Sequence, residues 1–177
     1  MILSGSEIKN RKDKGDIVIV PFNESNINSN SYNITLDNKI LIYDHVMLDM
    51  KINEPTTELT IPETGFILHP EKVYLAQTVE HTETYNLVPM IEGRSGVGRL
   101  GINIHVTAGF GDVGFRGKWV LELSCIHPVR IYPFIQIGQI YYHTIEGDID
   151  PELLYRGSYQ DTGKIISSKI WKELTKK

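Results

Sequence analysis

Short runs of alternating apolar and polar residues, cut at close intervals by Pro, Gly, Asn or Asp, fill this chain between residues 32 and 145. Tyr32, Ile34 and Leu36 alternate with polar partners as a strand does. The same grammar recurs near 39–43, 46–48, 58–61, 65–68, 72–78, 86–92, 102–107, 118–124, 129–132 and 137–145. No amphipathic helical pattern of about 10–15 residues stands between these segments, which argues against a parallel α/β sheet. The expected fold is mainly β, a barrel or sandwich. Upstream, Ser4 or Ser6 caps a short helix through about Lys12, Lys14-Gly15 stops it, and Ile17–Val20 is extended. Residues 23–31 form a polar loop. After Asp148 the alternation ends, and Ser167 or Ser168 caps a terminal helix holding Ile170, Trp171 and Leu174. Residues 155–177 read either as a lid with a docking helix or as a frayed tail.

With 177 residues and 41% hydrophobic content the chain can bury a core, and one domain spanning 1–177 is expected. No run approaches the roughly 18–20 apolar residues of a membrane span, and the first residues lack the basic and apolar regions of a signal peptide. A cytoplasmic location away from the membrane follows as an expectation. Eighteen basic against 22 acidic residues give a formal charge of −4. That balance disfavours a nucleic-acid partner, although a local arginine cluster can still hold a small phosphorylated ligand. The single cysteine, Cys125, excludes an internal disulfide and removes the Cys-x-x-Cys ligands of the familiar zinc deaminases, so no zinc is expected. Cys125 itself reads as a small buried hydrophobe.

Residues 92–124 concentrate the polar chemistry. Gly93-Arg94-Ser95-Gly96 places a guanidinium fork, a hydroxyl and accessible backbone N–H groups within four residues, which suits phosphate oxygens. Alone, it is as much a turn as a phosphate site. Glu122 lies in Trp119-Val120-Leu121-Glu122-Leu123, where a carboxylate among apolar residues loses hydration and can serve proton transfer. Simple alternation would equally turn it outward to solvent. Asp112, in Gly111-Asp112-Val113-Gly114, reads as an Asx turn closing a hairpin, as a catalytic carboxylate, or as both. His105, in Ile-Asn-Ile-His-Val, reads more readily as a packed or structurally bonded residue than as a catalyst.

Taken in order, Leu75-Ala76-Gln77-Thr78-Val79-Glu80, Glu92-Gly93-Arg94-Ser95, Arg99-Leu100-Gly101, His105-Val106-Thr107-Ala108-Gly109-Phe110, Asp112-x-Gly114-Phe115-x-Gly117, Leu121-Glu122 and Ile137-Gly138-Gln139 resemble the dCTP deaminase branch of the trimeric dUTPase superfamily. Weaker similarity runs through Ser31–Leu36 and the Met-Ile-Leu-Ser start. The resemblance implies a distorted dUTPase-like β-barrel with short terminal helices, assembled as a homotrimer with sites between subunits. It implies dCTP or dUTP bound with Mg²⁺, and dTTP as an inhibitor. Glu122 matches the glutamate that takes a proton from water and later helps protonate departing ammonia. Ser95 and Arg99 match residues that orient the water and stabilise charge around the ring, and the Ala108 carbonyl matches the acceptor of that water. Asp112 matches an aspartate that positions the sugar and activates water toward the triphosphate. Arg94, Gly96, Val106, Gln139, Tyr155, Tyr159, Gln160 and Lys164 are the implied substrate contacts.

Two departures stand out. Gly96 replaces a second serine and resembles the Arg-Ser-Gly of dUTPases, which favours phosphate cleavage. In the lid, Ser158 replaces a lysine and Asp161-Thr162 occupy the region of a second glutamine, so phosphate clamping is expected to weaken unless Mg²⁺ or Lys164 compensates. A bifunctional dCTP deaminase and dUTPase making dUMP leads. A deaminase stopping at dUTP, a dUTPase alone, and a nucleotide-sensing module without turnover are the alternatives.

Overall fold

A computed structural model describes residues 1–176. The first ten-residue element, α1 (Gly5–Lys14), is built as its sequence directs: Ser4 Oγ accepts the Glu7 N–H at 3.2 Å, and Gly15, at φ 85°, closes the last turn with its N–H on the Arg11 and Lys12 carbonyls. Ile8 anchors the helix in the core.

Ten strands follow among the described residues: β1 (Ile17–Val20), β2 (Tyr32–Tyr43), β3 (Thr56–Thr60), β4 (Phe66–Leu68), β5 (Tyr74–Thr84), β6 (Leu87–Gly93), β7 (Ile102–Asn103), β8 (Arg116–Cys125), β9 (Val129–Ile131) and β10 (Gln136–Thr144). Eight form one antiparallel sheet in the order β6-β10-β2-β5-β8-β7, with β1 added to β5 and β3 to β2; β4 and β9 pair separately. A short helical turn, α2 (Ser95–Gly98), leads from β6 to β7 and so bridges the two ends of that order. Closure continues beyond β7, where Ile91 N–H donates to Gly109 O at 2.8 Å and Gly111 N–H to Pro89 O at 2.9 Å. The result is the expected mainly β, nearly closed barrel.

Alternation decides which side chains fill it. Along β8 every second residue, from Gly117 to Cys125, is buried, while Lys118, Val120 and Glu122 turn to the outer face. Ile34, Leu36, Ile40, Leu121, Leu123, Ile137 and Ile140 meet inside, and each such side chain contributes roughly 1.5–3 kcal/mol by leaving water. Cys125 is buried among them, and burial pushes its thiol above the ordinary range, in keeping with a packing role.

Three expected elements differ. Residues 46–48 form no strand: Val46 and Met47 project fully into solvent, and the loop is held by polar bonds, Glu54 accepting the Asp49 N–H at 2.7 Å and pairing with His45 at 2.8 Å. The 102–107 segment is a strand only over Ile102–Asn103, because the chain then turns toward β6. The terminal helix, α3 (Trp171–Leu174), begins at Ile170 without a side-chain cap, and Ser168 Oγ only accepts the Ile170 N–H at 3.4 Å. Lys177, the last residue of the expected lid and docking helix, lies outside the described residues.

Candidate active site

The outer face of the β5–β8 pair carries a cleft of about 420 Å³. Leu75, Lys118, Val120 and Glu122 form its floor, and Ala108, Phe110 and Asp112 its side. The floor follows from register, since Leu75 lies opposite Glu122 and Gln77 opposite Val120. The side is set by two glycines. A Cβ on Gly109 would lie 2.5 Å from Ile91 O, and one on Gly111 would clash with the Trp119 ring and lie 2.9 Å from Pro89 O. Only residues without side chains let this segment lie flat on β6 and present Ala108 and Asp112 to the cleft.

Glu122 therefore does turn away from the core, but not into open solvent. Its side chain is 27% exposed and its Oε2 lies 2.7 Å from His105 Nδ1. The His105 ring is almost fully covered and its Nε2 is buried without a hydrogen-bond partner. His105 is structurally bonded, and the bond is to the very carboxylate that the resemblance singles out. This pairing was not legible in the sequence, where seventeen positions separate the two residues. Asp112 closes its turn through the backbone, Phe115 N–H donating to the Asp112 carbonyl at 3.2 Å, which leaves the carboxylate free to serve the cleft. Lys118 shares the floor, but its charge is balanced by Asp37 at 3.1 Å. Burial works to raise the Asp37 carboxyl, yet bonds from Gln77, the Asn38 N–H and Lys118 outweigh it and hold the group below its ordinary value.

Residues 155–168 form the roof over their own chain's cleft. Tyr155 N–H donates to Val113 O at 2.8 Å, its ring lies 5.8 Å from Phe115, and Phe115 in turn leans on Trp119 at 4.8 Å. Burial, opposed by the Tyr159 N–H and aided by the Asp112 charge, raises the Tyr155 phenol, so at neutral pH it remains protonated. Further along, Ile165 plugs between Leu41 and Leu75, and Tyr43 and Tyr159 accept the Ser168 and Lys169 N–H groups at 3.1 and 2.9 Å. Residues 155–168 thus pack against the barrel and line the cleft over the described chain.

The lid departures take on a different meaning in three dimensions. Asp161 is paired with Arg116 at 2.7 Å, and its N–H donates to Arg116 O at 2.8 Å, so its charge is met by a cation of the chain. Gln160 accepts the Arg116 N–H at 3.0 Å and donates to Gly114 O at 2.8 Å, which makes it a clasp between lid and barrel. Tyr155, Tyr159, Thr162, Ile166, Ser167 and Ser168 line the cleft, whereas Lys164 is exposed outside it.

The cleft thus gathers Glu122, Asp112, Ala108, Tyr155 and Tyr159. Arg94, Ser95, Gly96 and Arg99 are elsewhere: they form the exposed rim of α2, and none lines this cleft. Val106 is 61% exposed beyond the cleft, and Gln139 on β10 is engaged by Ser31 Oγ at 3.1 Å. Phe115, Trp119, Leu75, Lys118 and Tyr43 also line the cleft without having been assigned to a site in the sequence; of these, Leu75 and Lys118 could have been reached from strand alternation.

Fold and cleft together define a mainly β, nearly closed barrel with a carboxylate-bearing cleft on its outer face. The family described as dCTP deaminase-like matches residues 2–145, and the chain belongs to that family. Among its relatives, a protein of Hathewaya histolytica named "dCTP deaminase, dUMP-forming" is 54% identical over 173 residues, covering 98% of this chain and 99% of its own. A protein of the same name from Cytophaga hutchinsonii is 52% identical over 176 residues, covering 99% and 100%. The same name is carried by a Leptospira biflexa protein at 50% identity over 178 residues, with both chains fully covered. A solved structure, the 2'-deoxycytidine 5'-triphosphate deaminase from Agrobacterium tumefaciens, shares the fold at a TM-score of 0.63 and 16% identity, covering 81% of this chain and 48% of that one.

Proposed function

We propose that this chain deaminates dCTP by hydrolysis and carries the product through to dUMP, releasing ammonia and pyrophosphate. The observation that carries the reading is the full-length likeness, at about half identity, to proteins named for that overall reaction, together with a cleft lined by both Glu122 and Asp112.

Deamination would use Glu122 as the proton carrier. Its carboxylate takes a proton from water, the resulting hydroxide attacks the ring carbon bearing the amino group, and the ring nitrogen beside it takes up the electron pair and a proton. The ring nitrogen's proton comes from Glu122, which then takes the proton of the new hydroxyl group as the carbonyl forms and hands it to the amino nitrogen, so that the carbon–nitrogen bond breaks and ammonia leaves. His105 fixes the carboxylate, and the Ala108 carbonyl accepts from the water. Arg99, which cannot act as a base, supplies fixed positive charge, and Ser95 orients the water. In the second step Asp112 orients a water toward the α-phosphorus, and the bond to the bridging oxygen of pyrophosphate breaks.

Mg²⁺ fits this reading as an ion carried by the triphosphate. Among the described residues no cluster of three or more His, Cys, Asp or Glu side chains is placed to hold a metal. Asp112 is the carboxylate of the cleft that would meet the ion's water shell. Once bound, the ion would neutralise charge on the phosphate oxygens.

A single copy leaves Ser95 and Arg99 on α2, outside the cleft that holds Glu122. The reading therefore includes a homotrimer in which α2 of one copy completes the cleft of the next. Leu100, Val106, Phe110 and Ile126, each more than half exposed around α2 and the cleft wall, supply apolar surface for such a contact. The reading further includes one domain over 1–177, competition by dTTP, and a cytoplasmic location. No helix among the described residues is long and apolar enough to cross a membrane.

Mixing tests the shared site. Arg99→Ala and Glu122→Gln are each expected to be inactive, whereas subunits exchanged in equal amounts should regain activity at about one quarter of the sites, those drawing both native residues. No recovery after verified exchange would place the two residues in one copy and defeat the trimeric reading.

A further inference from the structure

Arg94 is held by a network of neutral side chains centred on Gln136. Its Nη1 donates to Gln136 Oε1 at 3.0 Å and to the Gln136 backbone carbonyl at 3.4 Å. Because a guanidinium only donates, the amide oxygen of Gln136 must face it, and the amide nitrogen must face away. That nitrogen finds its acceptor in Asn26 Oδ1 at 2.7 Å, while Asn33 Nδ2 makes a second bond to Gln136 Oε1 at 3.1 Å. Asn28 Nδ2 fixes Asn33 in turn, donating to its Oδ1 at 2.8 Å. Asn26 and Asn33 are both buried, so their orientations are imposed by the fold.

The backbone aims Gln136 at this junction. The β10–β2 ladder shifts register between Gln136 and Gly138, with Gln136 opposite Thr35 and Gly138 opposite Ile34. Such a bulge turns a side chain out of the strand's regular alternation. Gly138 permits it, since a Cβ there would lie 3.0 Å from Glu92 O, on the strand that leads into Arg94.

The chemical character of the network matters more than its existence. A carboxylate beside Arg94 would position it equally well but would compensate its charge, whereas two neutral oxygens fix it and leave that charge available to an anion. We propose that Gln136 is a positioning residue for the triphosphate: it presents Arg94, uncompensated and in one orientation, to the phosphate oxygens. This rests on the reading that Arg94 meets the triphosphate.

The test is a mutant cycle read through kcat and KM for dCTP, using Gln136→Leu, Gln136→Met, Arg94→Ala and the double variants, with melting temperatures measured alongside. Each Gln136 variant is expected to raise KM about ten- to a hundredfold, the size of a lost charged hydrogen bond. The kcat should change little, because a phosphate contact is present before and during reaction. In the Arg94→Ala background the Gln136 substitutions should add nothing further. If Arg94→Ala raises KM but the Gln136 variants do not, or if their effects add in full, the positioning role is overturned while the phosphate reading stands. If Arg94→Ala leaves KM unchanged, the phosphate reading falls and the role of Gln136 with it. A lowered melting temperature with native KM marks Gln136 as merely structural and overturns the proposal.

Discussion

Replacing Glu122 by glutamine is expected to cut ammonia release from dCTP by about 10²–10⁴-fold, the range that general acid–base catalysis supplies. The amide has the shape of the carboxylate and can still bond His105 Nδ1, which lies 2.7 Å from Glu122 Oε2 in the native chain, so the cleft should keep its form. It cannot take a proton from water. The dissociation constant for dCTP, measured by nucleotide titration of the inactive variant, should therefore stay near native. Near-native ammonia release would remove Glu122 from its role and turn attention to His105, the other titratable group at that point of the cleft.

Asp112→Asn is expected to separate the two hydrolyses. Asp112 sits on the side of the cleft whose floor carries Glu122, and its turn is closed by backbone, so the substitution leaves the fold in place. Ammonia release should continue, while pyrophosphate release falls by about a hundredfold, the lower end expected for one positioned carboxylate. With dCTP as substrate, the variant should then accumulate dUTP, which chromatography of the products detects. An unchanged rate of dUTP cleavage would assign the second hydrolysis to another group.

Both predictions use residues that were legible in the sequence, but their arrangement was not. Local signals carried α1, because a serine cap and a glycine stop act within a few residues, and they carried β5, β6, β8 and β10, because alternation reports a face that a neighbouring strand must cover. The same rule failed at Val46 and Met47, where apolar residues follow one another in a loop fixed by Glu54 and never reach the core. What periodicity cannot supply is contact across the chain. The His105–Glu122 pair depends on the turn after β7, and the Arg116–Asp161 pair depends on the lid crossing the start of β8. Asp161 looked in sequence like an acid placed against the triphosphate; in the fold its charge is answered by Arg116. Gln136 and Asn26 lie 110 positions apart and meet because β10 and β2 are neighbours.

The central claim is that one cleft takes dCTP through to dUMP. Its most direct test is a time course of radiolabelled dCTP with Mg²⁺ and a large excess of unlabelled dUTP, resolving dUMP, dUTP, ammonia and pyrophosphate. The account predicts ammonia and pyrophosphate released together, with the label passing into dUMP and little appearing in the dUTP pool. Label collecting in dUTP would show that the reaction stops after deamination, and an absence of ammonia would contradict the account altogether.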